Sequence, residues 1–157
     1  MAEELTIRRA TISDVDDLVR LRYAMQIELA EGHHGVSPDQ IVESTHDYFE
    51  KQLNGNHFAA FFALADGQIV GTGGFVVYDT PPSPSNPSGT EGYIMNMYTL
   101  PEWRKHGVAT LILQALADHA RHEGATRVWL RASTFGRKVY EHFGFEQRDS
   151  YMQMRLD

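Results

Sequence analysis

Between Met95 and Thr110 the chain reads Met-Asn-Met-Tyr-Thr-Leu-Pro-Glu-Trp-Arg-Lys-His-Gly-Val-Ala-Thr, a strand-like run that breaks at Pro101 into a basic turn and opens at once onto a helix. The first N–H groups of a helix have no partner inside it, and with the helix dipole behind them they bind phosphate oxygens. Arg104 and Lys105 add charge, while Gly107 and the small Ala109 let a ligand approach the backbone closely. The pattern predicts a diphosphate cradle at residues 104–110. It is neither of the common nucleotide loops. Gly71-Thr72-Gly73-Gly74 lacks the third glycine of a dinucleotide fingerprint and lies inside a strand pattern. With no Gly-Lys-Ser or Gly-Lys-Thr, a P-loop is excluded.

Eight histidines raise the question of a metal. His33 and His34 are adjacent in a turn, and His119 and His122 share a helical face. With no cysteine and no His-Glu-x-x-His, the expectation is no metal site.

The elements that hold the turn follow from periodicity. Leu5 to Arg8 alternates as a short strand. Ser13, with Asp16 three residues on, predicts the start of a first helix ended by Gly32; Val15, Leu18, Val19, Met25 and Leu29 form its stripe. Ser37, Pro38 and Gln40 mark a second helix, stopped by Asn54-Gly55-Asn56. His57 to Ala65 and Gln68 to Tyr78 predict a hairpin around Asp66-Gly67. Asp79 to Thr90, with four prolines and three serines, predicts a mobile loop, and as a lid over an acceptor it would be well placed. A strand from Gly92 to Leu100, a helix from Val108 to about His122 closed by Gly124, a strand from Arg127 to Arg131 and a helix near Phe135 to His142 follow. A terminal strand pair ending at Tyr151 to Leu156 completes the expectation. One strand–helix–strand crossover among hairpin-like connections implies an α/β layered fold on a mixed, mostly antiparallel sheet flanked by helices, as one domain over residues 1–157.

Arg104-x-x-Gly107-x-Ala109 after a strand resembles the coenzyme A signature of the GNAT superfamily of N-acetyltransferases, Gln/Arg-x-x-Gly-x-Gly/Ala. Leu100-Pro101-Glu102-Trp103 precedes it, and Val139-Tyr140-Glu141-His142-Phe143-Gly144-Phe145 is similar to the family's Leu-Tyr-Glu-x-x-Gly-Phe segment. The element order resembles that family over essentially the whole chain. The resemblance implies that acetyl-CoA is the co-substrate, its pyrophosphate held by the amides of Arg104, Lys105, His106, Gly107, Val108, Ala109 and Thr110. It implies that the strand edge at Met97, Tyr98 and Thr99 pairs with the pantetheine arm and that one of those amides steadies the oxyanion. Tyr140 stands where many members keep a tyrosine that protonates the departing thiolate; a phenol of pKa about 10 still carries its proton at neutral pH. Ser133 replaces a common asparagine and retains a hydroxyl for a pantetheine amide, and Arg137 or Lys138 is within reach of a 3′-phosphate. For the general base, Glu91 ranks before Glu28 and Glu31, with a water chain as a further route. Asn96 and Tyr98 alternate with the cofactor-pairing residues, so they face the acceptor, with Glu28 beside them.

Composition narrows the partners. The chain has 157 residues, 42% hydrophobic and 22% charged, which fits a globular protein. A net charge of −7 argues against nucleic acid, which demands clustered Lys and Arg. No apolar run reaches the ~20 residues of a membrane span, and Met1 to Ala10 shows no secretion signal, so the expected compartment is the cytoplasm. The expected acceptor is an amine of a small molecule or of a protein or peptide, with a homodimer through the terminal strands physically reasonable. A non-catalytic acyl-CoA sensor of the same fold and an enzyme using a longer acyl chain are the competing readings.

Overall fold

A computed structural model describes residues 3–32 and 34–156. His33, one of the histidines considered above, lies outside the described residues. The strands are β1 (Leu5–Arg9), β2 (Phe58–Ala65), β3 (Gln68–Asp79), β4 (Thr90–Thr99) and β5 (Arg127–Leu130); the helices are α1 (Val15–Glu28), α2 (Pro38–Leu53), α3 (Val108–His122) and α4 (Arg137–Phe143). They form one sheet in the order β1-β2-β3-β4-β5. Every pairing is antiparallel except β4 with β5, which the α3 crossover makes parallel. No helix among the described residues is long and apolar enough to cross a membrane.

The sheet is covered on both faces at β2, which is why that strand reads Phe-Ala-Ala-Phe-Phe-Ala-Leu-Ala with no polar residue. Its alternate residues feed two cores. Phe58, Ala60 and Phe62 meet Val15, Leu18 and Phe49 of α1 and α2. Ala63 and Ala65 join Phe75, Ile112, Leu113 and Leu116 on the α3 side. Gly71 and Gly73 of β3 let α3 lie close, because a Cβ on Gly71 would come 2.6 Å from Val108 Cγ1 and one on Gly73 2.6 Å from Ile112 Cγ2. Their role is packing, and it brings the start of α3 down onto the sheet.

Local chemistry placed some boundaries well. Ser37 Oγ accepts the Gln40 amide at 3.2 Å while Gln40 Oε1 accepts the Ser37 amide at 3.0 Å, the reciprocal cap expected of α2. Asp66 and Gly67 both have positive φ (47° and 77°), as the two-residue turn of a β2–β3 hairpin requires.

Other expectations are corrected. The capping pair before α1 is Thr11 with Asp14, not Ser13 with Asp16. Asp14 is buried and accepts the Thr11 amide at 2.7 Å and Arg8 at 2.8 Å, and a short 3-10 turn at Ile12–Asp14 precedes the helix. α1 stops at Glu28, before Gly32, and Ala30 follows with φ 52°. Residues 79–90, expected to be a mobile loop, carry a network of hydrogen bonds. Thr80 N–H bonds to Gly89 O at 2.6 Å, Ser88 Oγ donates to Gly124 O at 3.3 Å, and the buried Asn86 donates to Glu91 at 3.3 Å and accepts from Thr126. The terminal strand pair is absent among the described residues. Residues 145–156 adopt no strand, and Met152, Met154 and Leu156 are exposed; the alternating pattern was strand-like, but a strand needs a partner, and here Tyr151 instead takes a 2.5 Å hydrogen bond from Arg131. β5 is therefore an edge of the sheet.

Candidate active site

β5 covers only the first part of β4, pairing Glu91–Ile94 with Arg127–Leu130. From Met95 to Thr99, β4 keeps β3 on one side and has no strand on the other. At that parting there is a bulge. Thr72 pairs with Tyr98 and Gly74 with Met95, so Gly73 faces two residues, Asn96 and Met97, and Asn96 takes φ 56°. The extra residue resets the alternation. Ile94 and Met97 both pack on the α3 side, while Met95 and Tyr98 both pack on the α1/α2 side. Asn96 and Tyr98 nevertheless both reach α1. Asn96 Oδ1 accepts from Arg22 at 3.4 Å, and Tyr98 OH donates to Glu28 at 3.2 Å.

The turn that follows bends through Lys105 (φ 65°) and Gly107 (φ 82°) into α3. Gly107 is the N-cap, and no side chain caps the helix. The first intrahelical bond runs from Leu111 N–H to Gly107 O, so the amides of Val108, Ala109 and Thr110 are left facing out of the helix end. Nothing lies within 4 Å of where a Gly107 Cβ would be. An uncapped positive helix end with open space before it, beside an unpaired strand edge, suits a ligand that has a diphosphate at one end and an amide-bearing arm at the other. The α4 segment closes the α3 side. Tyr140 packs in that core beside Val139 and Phe145, its ring 6.0 Å from that of Phe145, and burial pushes its phenol pKa up. Gly136 makes room for it, since a Cβ there would sit 2.7 Å from Tyr140 Cε2. Ser133 Oγ accepts the Gly136 amide at 3.2 Å in the turn before α4, which leaves its hydroxyl proton free to donate. Lys138 is exposed on the first turn of α4.

Two carboxylates are differently placed from what spacing alone implied. Glu91, ranked first as general base, is buried at the far end of β4 and bonds Tyr78 OH (2.9 Å), Asn86 and Arg127. Burial pushes its carboxyl up, but the Tyr78 and Arg127 hydrogen bonds and the Arg127 charge outweigh this and hold its pKa below the usual value. A carboxylate so stabilised in its charged form is a weak base, and its partners make it the anchor of the 79–90 loop. Glu28 pairs with Arg104 at 2.6 Å, and that hydrogen bond holds its carboxyl low as well. Arg104 also donates to Thr99 O at 3.2 Å, so its side chain braces the turn and its charge is already matched. Glu31 makes no ion pair among the described residues.

Spacing gave no sign of Arg22 or Tyr93 at the site, which lie with Tyr48 of α2 and Trp129, a groove-wall aromatic by sequence. These line the α1/α2 face of β4 by the parting, with Tyr48 OH 3.5 Å from Met95 Sδ and the Tyr93 and Trp129 rings 4.5 Å apart. The one group of metal-capable side chains among the described residues, His46, Asp47 and Glu50, lies on α2. His119 instead packs edge-on against Phe61 and Phe75.

The five-stranded α/β layer, whose fourth strand parts from the fifth beside an uncapped helix start, matches the acyl-CoA N-acyltransferase fold of solved acetyltransferases. Residues 23–145 match the acetyltransferase (GNAT) family model, and the chain belongs to that family. A predicted acetyltransferase from Clostridium acetobutylicum, solved with acetyl-CoA, is 32% identical with TM-score 0.85, the match covering 98% of this chain and 97% of that one. An aminoglycoside N-acetyltransferase solved with CoA superposes with TM-score 0.77 at 20% identity, covering 99% of this chain and 97% of the other. A ribosomal-protein-alanine N-acetyltransferase from Brucella melitensis superposes with TM-score 0.73 at 22% identity, covering 98% and 100%. No protein of curated function matches the chain.

Proposed function

We propose that the protein is an N-acetyltransferase that moves acetyl from acetyl-CoA to a primary amine by direct attack on the thioester. The reading treats residues 1–157 as one catalytic domain. The observation that carries it is the junction of the uncapped α3 start, Gly107 to Thr110, with the open β4 edge at Met97–Thr99. Amides of residues 105–110 take the pyrophosphate, with Lys105 and His106 at the rim of the turn, while the Arg104 amide is held by Pro101 O at 3.3 Å. The edge of Met97, Tyr98 and Thr99 takes the pantetheine arm, with Ser133 on the opposite bank and Lys138 toward the 3′-phosphate.

The neutral amine nitrogen bonds to the thioester carbon, and the carbonyl oxygen gains negative charge that a β4 amide next to the bulge stabilises. As the C–S bond breaks, the thiolate takes the proton of Tyr140, whose buried phenol still carries one at neutral pH. The attacking nitrogen releases its surplus proton to water, and the Tyr140 phenolate regains a proton from solvent. With Glu91 and Glu28 both committed to arginines, solvent is the base in this scheme.

The test is release of free thiol from acetyl-CoA with a panel of small amines and amino-terminal peptides, alongside melting with and without acetyl-CoA. Turnover with at least one amine and a rise in melting temperature are expected. Cofactor binding without thiol release for any amine would make the protein an acyl-CoA sensor, and no binding at millimolar acetyl-CoA would end the assignment.

A further inference from the structure

The α1/α2 face of β4 can be followed residue by residue. Glu91, Tyr93 and Met95 share it by alternation, Trp129 lies across from Tyr93, and Asn96 at the bulge turns toward α1. Its ionic groups balance except at one position. Glu91 has Arg127 and Glu28 has Arg104, whereas Arg22 makes no ion pair among the described residues. Its Nη1 rests on the neutral Asn96 Oδ1 at 3.4 Å, beside the point where β4 loses its β5 neighbour. Burial pushes the nearby Tyr48 phenol up and the Arg22 charge opposes it, so the guanidinium acts on the aromatic wall. A guanidinium has five N–H donors in a planar fork, and one amide oxygen leaves most of them for a bidentate carboxylate. Beyond it, Tyr93 and Trp129, both half-buried with rings 4.5 Å apart and inclined by 38°, offer an aromatic surface.

We infer that the acceptor is an amine that also bears a carboxylate, held by Arg22, with an aromatic body lying on Tyr93 and Trp129: an aromatic amino acid in chemical class. This rests on the N-acetyltransferase reading and narrows it. The same positive charge serves the chemistry. Pairing the acceptor's carboxylate with Arg22 removes the negative charge that would otherwise hold the adjacent ammonium protonated, and so raises the share of neutral nucleophile. The guanidinium also disfavours acceptors with several ammonium groups. In a chain of net charge −7 an unmatched cation at this spot distinguishes acceptors that carry a carboxylate from those that do not.

The experiment compares matched pairs, L-phenylalanine with phenethylamine and L-tryptophan with tryptamine, by thiol release from acetyl-CoA, with rates referred to the neutral amine. Wild-type kcat/KM is expected to favour each amino acid by at least about tenfold. Arg22→Gln should bring the ratio close to one, chiefly by raising KM for the amino acid, and Arg22→Lys should restore part of it. The acetyl-CoA-dependent rise in melting temperature should persist in both variants, which separates acceptor recognition from loss of fold. A wild-type ratio near one, turnover confined to amines lacking a carboxylate, or an unchanged ratio in Arg22→Gln overturns the carboxylate assignment and leaves acetyl transfer standing. No thiol release with any amine overturns the transferase reading itself.

Discussion

At the scale of single residues, the proton inventory of the site is unusual in having its carboxylates spoken for. Glu28 and Glu91 each hold an arginine, and those contacts keep both below the ordinary carboxylate pKa. Removing either charge should therefore touch scaffold rather than base chemistry. Glu28→Gln is expected to lower kcat less than about threefold and to leave the acidic limb of the kcat/KM profile in place; a fall of about a hundredfold, the usual worth of a general base, would restore it to the chemistry. Tyr140 is the opposite case. Its hydroxyl is the group suited to protonate a thiolate, so Tyr140→Phe should cost about a hundredfold or more in kcat while the acetyl-CoA-induced melting shift survives. Pre-steady-state thiol release alongside melting curves would measure both.

At the scale of elements, the cradle depends on how α3 begins and how closely it lies on the sheet. Gly107 caps the helix at φ 82°, a conformation that costs an L-residue about 1 kcal/mol, and it faces open space. Gly107→Val should thus lower stability by about 1 kcal/mol yet weaken acetyl-CoA at least tenfold, because the new side chain fills the space before the amides. Titration calorimetry with acetyl-CoA distinguishes this from a general loss of fold. Gly73 acts from beneath. A Cβ there would come 2.5 Å from Met97 Sδ and 2.6 Å from Ile112 Cγ2, so Gly73→Ala must push α3 from β3 beside the bulge. About 1–3 kcal/mol of destabilisation is expected from such overpacking, read as a shift in denaturant midpoint. Had the glycines of β3 served a nucleotide, the same change would spare stability and harm binding alone.

At the scale of the fold, acid should undo the molecule in two stages. Burial and the Arg9 charge hold His119 below its ordinary 6.5, against the Glu123 charge, as expected of an imidazole set against Phe61 and Phe75. The unfolded chain then binds a proton there more readily than the folded one, so stability from His119 is present above about pH 6.5 and is lost as pH falls below it. Asp14, held at about 2 mainly by its hydrogen bond from Arg8, has the same sign at lower pH, its contribution fading from about 3.8 toward about 2. Melting temperature should decline gently below pH 6.5 and again below pH 4, and His119→Gln should flatten the first step only. A rise in stability between pH 6.5 and 5 would contradict the burial of a neutral imidazole.

How much of this was legible before folding depends on how far apart in the chain the interacting groups are. The Ser37–Gln40 cap, the Asp66–Gly67 turn, the α3 stripe and the glycine-ended basic turn are local, so residue types within four or five positions decide them. The parting of β4 from β5, the bulge opposite Gly73, the matching of Glu28 to Arg104 and Glu91 to Arg127, and the lone Arg22 beside Asn96 join residues 23 to 76 positions apart, and no period in the sequence encodes them. The same rule explains the terminal segment, whose alternation was a sound strand pattern but which does not pair with the open β5 edge. Short-range sterics and hydrogen bonding thus wrote the elements and the naked helix start into the chain. Which charges are already spent, and which one is left facing the parted strands, emerged only when distant segments packed, because an ion pair is defined by distance in space and not along the backbone.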